Sequence, residues 1–212
     1  MIIQQLIVGS MAVCCYLVGC EETKLAAVID PGGNEDKILA AAKAKGLTIE
    51  YIINTHGHAD HDCGNGIIKA ATGAKIIIHA KDAEFFARPE IKGYFSSLGL
   101  PASPPADQTV EDGDVITVGK VKLTVLHTPG HTPGGMCLYA APNLFTGDTL
   151  FVGGVGRTDF PGGDTATLMH SIRQKILTLP GETKVWPGHG YGGDSSTIAK
   201  EAKSNPYLTG EL

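Results

Sequence analysis

Within the six residues His56-Gly57-His58-Ala59-Asp60-His61 the chain carries three imidazoles and a carboxylate. The preceding stretch, 48–54, reads as a strand, so the cluster begins where an extended segment ends. Side chains alternate along an extended backbone, which points His56 and His58 the same way. Asp60 and His61 then fall in the next turn, where they face a neighbouring point. Neutral imidazole and carboxylate oxygen are the ligands that zinc, iron(II) and manganese accept. One short segment cannot close two coordination spheres. The fold must therefore bring further ligands to this strand end from distant parts of the chain.

Three turns offer them. His131 lies in Thr128-Pro129-Gly130-His131-Thr132-Pro133-Gly134. Asp148 lies in Phe145-Thr146-Gly147-Asp148-Thr149, and His189 in Trp186-Pro187-Gly188-His189-Gly190. The last two sit just past strands, and each turn carries a glycine that lets a side chain come close to an ion.

The surrounding pattern places these turns. Strands are expected over 2–8, 12–19 and 24–29. A helix follows, capped by Asn34, with Glu35 and Asp36 in its first turn, and ends at Gly46. A helix is expected over 62–72 and a short buried strand over 75–79. Residues 86–108, with Pro89, Gly93, Pro101, Pro104 and Pro105, read as an irregular lid or surface insertion. Strands resume at 115–118, 121–127, 135–140 and 143–146. Asp164 caps a helix over 165–178, a strand covers 184–186, and a helix closes the chain over 195–203. Strands with a few helices, twice over, imply an α+β chain of sheets packed face to face with helices outside. We expect a single domain over 1–212.

Composition narrows the function classes. The 212 residues include 28 glycines and 12 prolines, as suits many tight turns between short elements. The net charge is −5 and no run of Lys or Arg occurs, so no nucleic-acid footprint is expected. Five cysteines, Cys14, Cys15, Cys20, Cys63 and Cys137, form no disulfide framework and fit a reducing cytoplasm. Leu17-Val18-Gly19-Cys20 has the form of a lipoprotein cleavage box, but no Lys or Arg precedes it, and two strands explain the apolar stretch better. No apolar run is long enough for a transmembrane helix, so no membrane partner is expected. Nothing in the sequence sets an oligomeric state.

The full ordered set, His-x-His-x-Asp-His, then Gly-His, Gly-Asp and Gly-His, resembles the metallo-β-lactamase superfamily. Segments 55–62, 128–135, 145–163 and 187–190 look most like its type II glyoxalase (hydroxyacylglutathione hydrolase) branch. The resemblance implies an αββα sandwich with a two-metal site at one edge between the sheets. It implies that His56, His58 and His131 hold one divalent ion and that Asp60, His61 and His189 hold the other, with Asp148 bridging. Zinc is the expected metal, with iron or manganese as alternatives. The implied activity is hydrolysis of a small thioester substrate by a metal-bridging hydroxide, which Asp60 helps to orient. Longer members of the branch carry a C-terminal helical domain that contributes glutathione contacts, and the expectation here is metal chemistry without that surface.

Other residues have plainer readings. His79, His127 and His170 are expected to be structural. Cys63 is expected to be a small residue at a helix start, and Trp186 to belong to the core. Arg157, in Gly156-Arg157-Thr158-Asp159-Phe160, either meets a substrate carboxylate or forms an internal ion pair. The alternative activities are an iron-dependent persulfide dioxygenase, suggested by 156–160, and a lactonase or β-lactamase. A flavodiiron-type protein would carry Glu where this chain has His58.

Overall fold

The computed structural model describes residues 1–97 and 99–210. Its first half runs β1 (Ile2–Val8), β2 (Val13–Gly19), β3 (Leu25–Ile29), α1 (Glu35–Ala44), β4 (Thr48–Ile53), α2 (Ala59–Asp62), α3 (Asn65–Thr72), β5 (Lys75–His79), α4 (Ala80–Ala87), α5 (Pro89–Ser96) and β6 (Gln108–Val110). The second half runs β7 (Val115–Val118), β8 (Val121–His127), β9 (Met136–Ala140), β10 (Asn143–Gly147), β11 (Leu150–Phe151), β12 (Gly154–Val155), α6 (Thr165–Ser171, continued by a π-helical stretch Ile172–Ile176), β13 (Lys184–Pro187), β14 (Ser196–Thr197), α7 (Ile198–Ser204) and α8 (Pro206–Thr209).

Two six-stranded sheets form, in the orders β1-β2-β3-β4-β5-β6 and β14-β13-β10-β9-β8-β7. β3, β4, β5 and β6 are parallel neighbours, and so are β10 and β13. Between the sheets, Tyr16, Val18, Ile29, Ile53 and Ile77 pack against Ile116, Val118, Leu123, Val125, Leu138 and Phe145. Two further layers lie outside. Ile38, Ala42 and Ile68, from α1 and α3, cover the outer face of the first sheet through Leu17, Val28, Ile52 and Ile76. Leu168, Ile172 and Ile176 cover the second through Cys137, Leu144 and Val185. The αββα sandwich is therefore observed. β2 shows why its sequence is continuously apolar: Cys14, Tyr16 and Val18 face the central layer, whereas Val13, Cys15 and Leu17 face the outer one. A strand buried on both faces has no polar side. The same strand accounts for the lipoprotein-like box, since Leu17 to Gly19 are its last residues.

Several expectations need correction. Asn34 does not cap α1 with its side chain: its backbone is left-handed (φ 52°), and its Oδ1 accepts from the Gly9 amide. The segment 86–108 is not irregular throughout, because α5 fills Pro89–Ser96; Leu98 within it lies outside the described residues, as do Glu211 and Leu212. Pro89 opens that helix, where a missing amide proton is no loss. The helix expected over 62–72 is two pieces, divided at Cys63 and Gly64. The closing helix begins at Ile198, after the short strand β14, rather than at 195. Asp164 does cap α6, accepting from the Thr167 amide at 2.6 Å. Trp186 packs against the central core through Phe145 and Tyr16. No helix among the described residues is long and apolar enough to cross a membrane.

Candidate metal centre

The sandwich brings the four motifs to one edge, where strands of both sheets end. Asp30 follows β3, His56 follows β4, Asp148 follows β10, and His189 follows β13. This is the usual address of a ligand in a sheet with parallel strands, beyond their carboxyl ends. β4 runs out at Ile53, and the extended residue His58 leads directly into α2, which presents Asp60 and His61 on its single turn.

Two groups of donors result. His56, His58 and His131 converge, and so do Asp60, His61 and His189, with the candidate atoms of each group within 4.8 Å of one another. Asp148 lies between them: its Oδ1 is 3.4 Å from His61 Nε2, and its Oδ2 is 3.6 Å from both His131 Nε2 and His189 Nε2. In the second group, His61 Nε2 and His189 Nε2 are 3.2 Å apart, and Asp60 Oδ2 is 3.7 and 3.6 Å from them. Ligand atoms about 2.1 Å from a tetrahedral ion stand about 3.4 Å from each other, so these separations fit a divalent cation. The buried atoms agree. His56 Nε2, His58 Nε2, His131 Nε2 and Asp148 Oδ1 have no hydrogen-bond partner. Buried polar atoms are rarely left so; here the three imidazole nitrogens belong to one donor group, and Asp148 Oδ1 faces His61 of the other.

The opposite nitrogens of His56, His61, His131 and His189 are taken, which fixes their tautomers. His61 Nδ1 meets Asp30 Oδ2 at 3.0 Å, His131 Nδ1 donates to the Arg157 carbonyl at 2.6 Å, and His189 Nδ1 donates to the Met11 carbonyl at 3.1 Å. His56 Nδ1 faces Thr55 Oγ1 at 3.1 Å. Such partners hold a ligand ring in place and leave Nε2 for the ion. Asp30, His56 and His61 also form a close trio. Asp30 is nevertheless an orienting group, because its oxygens accept from the Thr55 amide (2.8 Å), Thr55 Oγ1 (2.7 Å) and His61.

Burial and neighbouring imidazoles hold His56 and His58 well below the usual histidine range, so both are neutral at pH 7. Burial presses His61 the same way, but the carboxylates of Asp148, Asp60 and Asp30 overcome it and push its pKa up to about 10. Burial would raise Asp60; the imidazoles of His61, His189 and His58 outweigh it and hold the carboxyl well below its usual range. Without metal, the His61 imidazolium is thus the cation among these carboxylates. A ligand must be deprotonated, so metal has to displace that proton. Uptake of metal by the stripped protein is expected to release at least one proton per chain at about pH 7 to 8, that of His61, with a further one from water acidified by the metals. Affinity should rise with pH through the neutral range and level off near pH 10. Calorimetry in buffers of different ionisation enthalpy measures this; release near zero would contradict it.

The structure brings together His56, His58, Asp60, His61, His131, Asp148 and His189, which sequence reasoning named, but that reasoning missed two supporting carboxylates. Asp30 lies just past the strand expected over 24–29, outside every ligand motif. Asp82, in the first turn of α4, is fully buried and ties two motif loops together. Its Oδ2 accepts from the Gly57 amide (3.0 Å) and Thr132 Oγ1 (2.8 Å), and its Oδ1 from the Gly134 amide (2.5 Å). Burial pushes its pKa up to about 6 despite those three donors. The glycine before His189 is required by space, since a Cβ at Gly188 would fall 2.2 Å from Asp148 Oδ1. Arg157 forms an ion pair with exposed Asp159 through Nε and Nη2, both at 2.6 Å. Its tie to the centre is its carbonyl, on His131. His79 and His127 stack on each other at 4.1 Å, and neither belongs to the two donor groups. Cys63 is buried at the end of α2 rather than at a helix start.

The comparisons agree with this geometry. The chain is 37% identical to hydroxyacylglutathione hydrolase GloC of Haemophilus influenzae over 92% of either chain. It is 36% identical to the human mitochondrial persulfide dioxygenase ETHE1, over 92% of this chain and 70% of that one. The crystal structure of BLEG-1 B3 metallo-beta-lactamase superposes with a TM-score of 0.89 at 33% identity, covering 98% of this chain and all of that one. A profile of the metallo-beta-lactamase superfamily matches residues 9–189. With matching sequence, matching fold and two groups of His and Asp donors at one edge of the sandwich, the chain belongs to the metallo-β-lactamase superfamily.

Proposed function

We propose that this protein is a binuclear, most simply zinc-loaded, hydrolase of small acyl thioesters. The observation that carries the reading is the pair of donor groups with Asp148 between them, and with unpartnered buried donor atoms on His56, His58, His131 and Asp148. Divalent cations held there supply acidified water near neutral pH and positive charge for the developing oxyanion. The chain's own groups set the geometry. Asp60, kept ionised by the imidazoles around it, orients the water and accepts its hydrogen bond. The water oxygen bonds to the carbonyl carbon, the C–S bond breaks, and its electron pair leaves with sulfur as thiolate. The released protons pass to solvent. No serine or cysteine nucleophile is required. The five cysteines are unpaired and buried, which supports a cytoplasmic setting.

The thiol half should be recognised loosely. Segment 86–108 holds two cations, Arg88 and Lys92; Arg88 pairs with Glu84 and Arg157 with Asp159, and Lys92 is exposed. Exchanging glutathione for a truncated thiol under one acyl group is therefore expected to cost less than about a hundredfold in kcat/KM, or about 3 kcal/mol. A larger loss would reveal a dedicated glutathione site.

The activity test is metal analysis under saturating supply, paired with a thioester panel. Two metals per chain and hydrolysis are expected; at most one metal would contradict the binuclear centre. Oxygen consumption on glutathione persulfide, without thioester hydrolysis, would move the protein to the dioxygenase reading.

A further inference from the structure

Around His58 the metal centre is walled by phenyl rings. The Phe95 centroid lies 4.9 Å from the His58 imidazole, Phe160 lies at 5.4 Å, and Phe86 at 5.6 Å. Phe86 and Phe95 come from α4 and α5 and meet at 5.3 Å; Phe160 comes from the loop after β12 and stands 6.4 Å from Phe95. Rings from two distant segments thus converge on one donor. Phe95 is 8% exposed, while Phe86 and Phe160 are half-buried, so the wall keeps an accessible face. The charges beside it are neutralised. Arg157 lies 4.1 Å over the Phe160 ring and is held by Asp159; Arg88 lies over Phe85 and is held by Glu84. The His189 side differs. Tyr191 stacks on that imidazole at 4.9 Å and 8°, yet is 74% exposed between glycines.

We propose that the acyl group of the substrate lies against Phe86, Phe95 and Phe160, and that the site therefore prefers aryl or branched alkyl acyl groups to hydroxyacyl ones. This rests on the thioester-hydrolase reading. The enclosed side suits the half of the substrate that remains as the carboxylate product. The open side at Tyr191 suits the thiol that departs to solvent. A phenyl or branched alkyl group gains by leaving water against these rings. A hydroxyl placed there loses water without a partner, and an apolar pocket gives it none.

The test uses metal-loaded protein and thioesters of one thiol, N-acetylcysteamine, with phenylacetyl, 3-methylbutanoyl and 2-hydroxypropanoyl groups. The phenylacetyl compound is expected to exceed the 2-hydroxypropanoyl one by about tenfold or more in kcat/KM. Phe95→Ala and, independently, Phe160→Ala on its loop should bring that ratio towards one. A second readout is calorimetric binding of the product acids, phenylacetate and 2-hydroxypropanoate, expected in the same order and levelled by the same variants. Equal or faster hydrolysis of the 2-hydroxypropanoyl compound overturns the wall while leaving thioester hydrolysis standing. So does a preference that follows the thiol when one acyl group is placed on two thiols. If no thioester is hydrolysed, the functional reading falls. Calorimetry then judges the wall alone, and equal binding of the two acids overturns it.

Discussion

Asp148→Ala is expected to reduce kcat/KM by on the order of a thousandfold or more, since a lost metal forfeits several kcal/mol of charge stabilisation. No other side chain of the centre lies within 3.6 Å of imidazoles from three separate motifs, through His61, His131 and His189. Removing it takes a charge from both donor groups at once. Metal content should fall for both ions, whereas His189→Ala should weaken chiefly the group formed with Asp60 and His61. Elemental analysis after gel filtration, set beside kinetics, separates these outcomes. Full metal content in Asp148→Ala would show that Asp148 does not bridge.

The second large effect is expected on stability. Asp82→Ala removes the acceptor of two backbone amides and a hydroxyl, all buried. An unpaired buried donor costs about 1–3 kcal/mol, so a loss of about 3–5 kcal/mol is expected. At about 2–4 °C per kcal/mol for a chain this size, Tm should fall by about 10 °C. Gly57 lies between His56 and His58, and Gly134 closes the His131 turn, so metal affinity should fall as well. Thermal unfolding of the stripped protein isolates the structural part. A Tm within about 2 °C of the parent would mean the loops hold without Asp82.

The contrast between Asp148 and Asp82 shows what the sequence displays. Ligands such as His56, Asp148 and His189 sit in short turns with a glycine beside them, and their order along the chain is itself a pattern. Asp82 and Asp30 carry no such mark. An aspartate in the first turn of a helix looks like a charge on the helix dipole, and one after a strand looks like a turn former. Only the folded chain brings Asp30 behind His61 and Asp82 between two loops. The fold divides in the same way. β2 was legible from its apolar run, and the sandwich from the alternation of strands and helices. The helix α5 was hidden because Pro89 and Gly93 read as breakers, although proline at a first helical position breaks nothing. The short strands β6, β11, β12 and β14 have too few residues to show a period.

One tie across the molecule bears on how the protein matures. The His189 ring is held by the Met11 carbonyl, and the Gly188 carbonyl accepts from the Cys14 amide at 2.8 Å. Partners so far apart in the chain cannot meet until it has been made through His189. During synthesis, the His56–His61 segment emerges long before the residues that complete either donor group. Because the second group needs β13 docked beside β10 and its turn laid against β2, metal capture there comes after the sandwich has closed. Loading of that site therefore reports that β2 and the turn after β13 have found each other, and a chain stalled part-way offers the ion only a fragment of its cage.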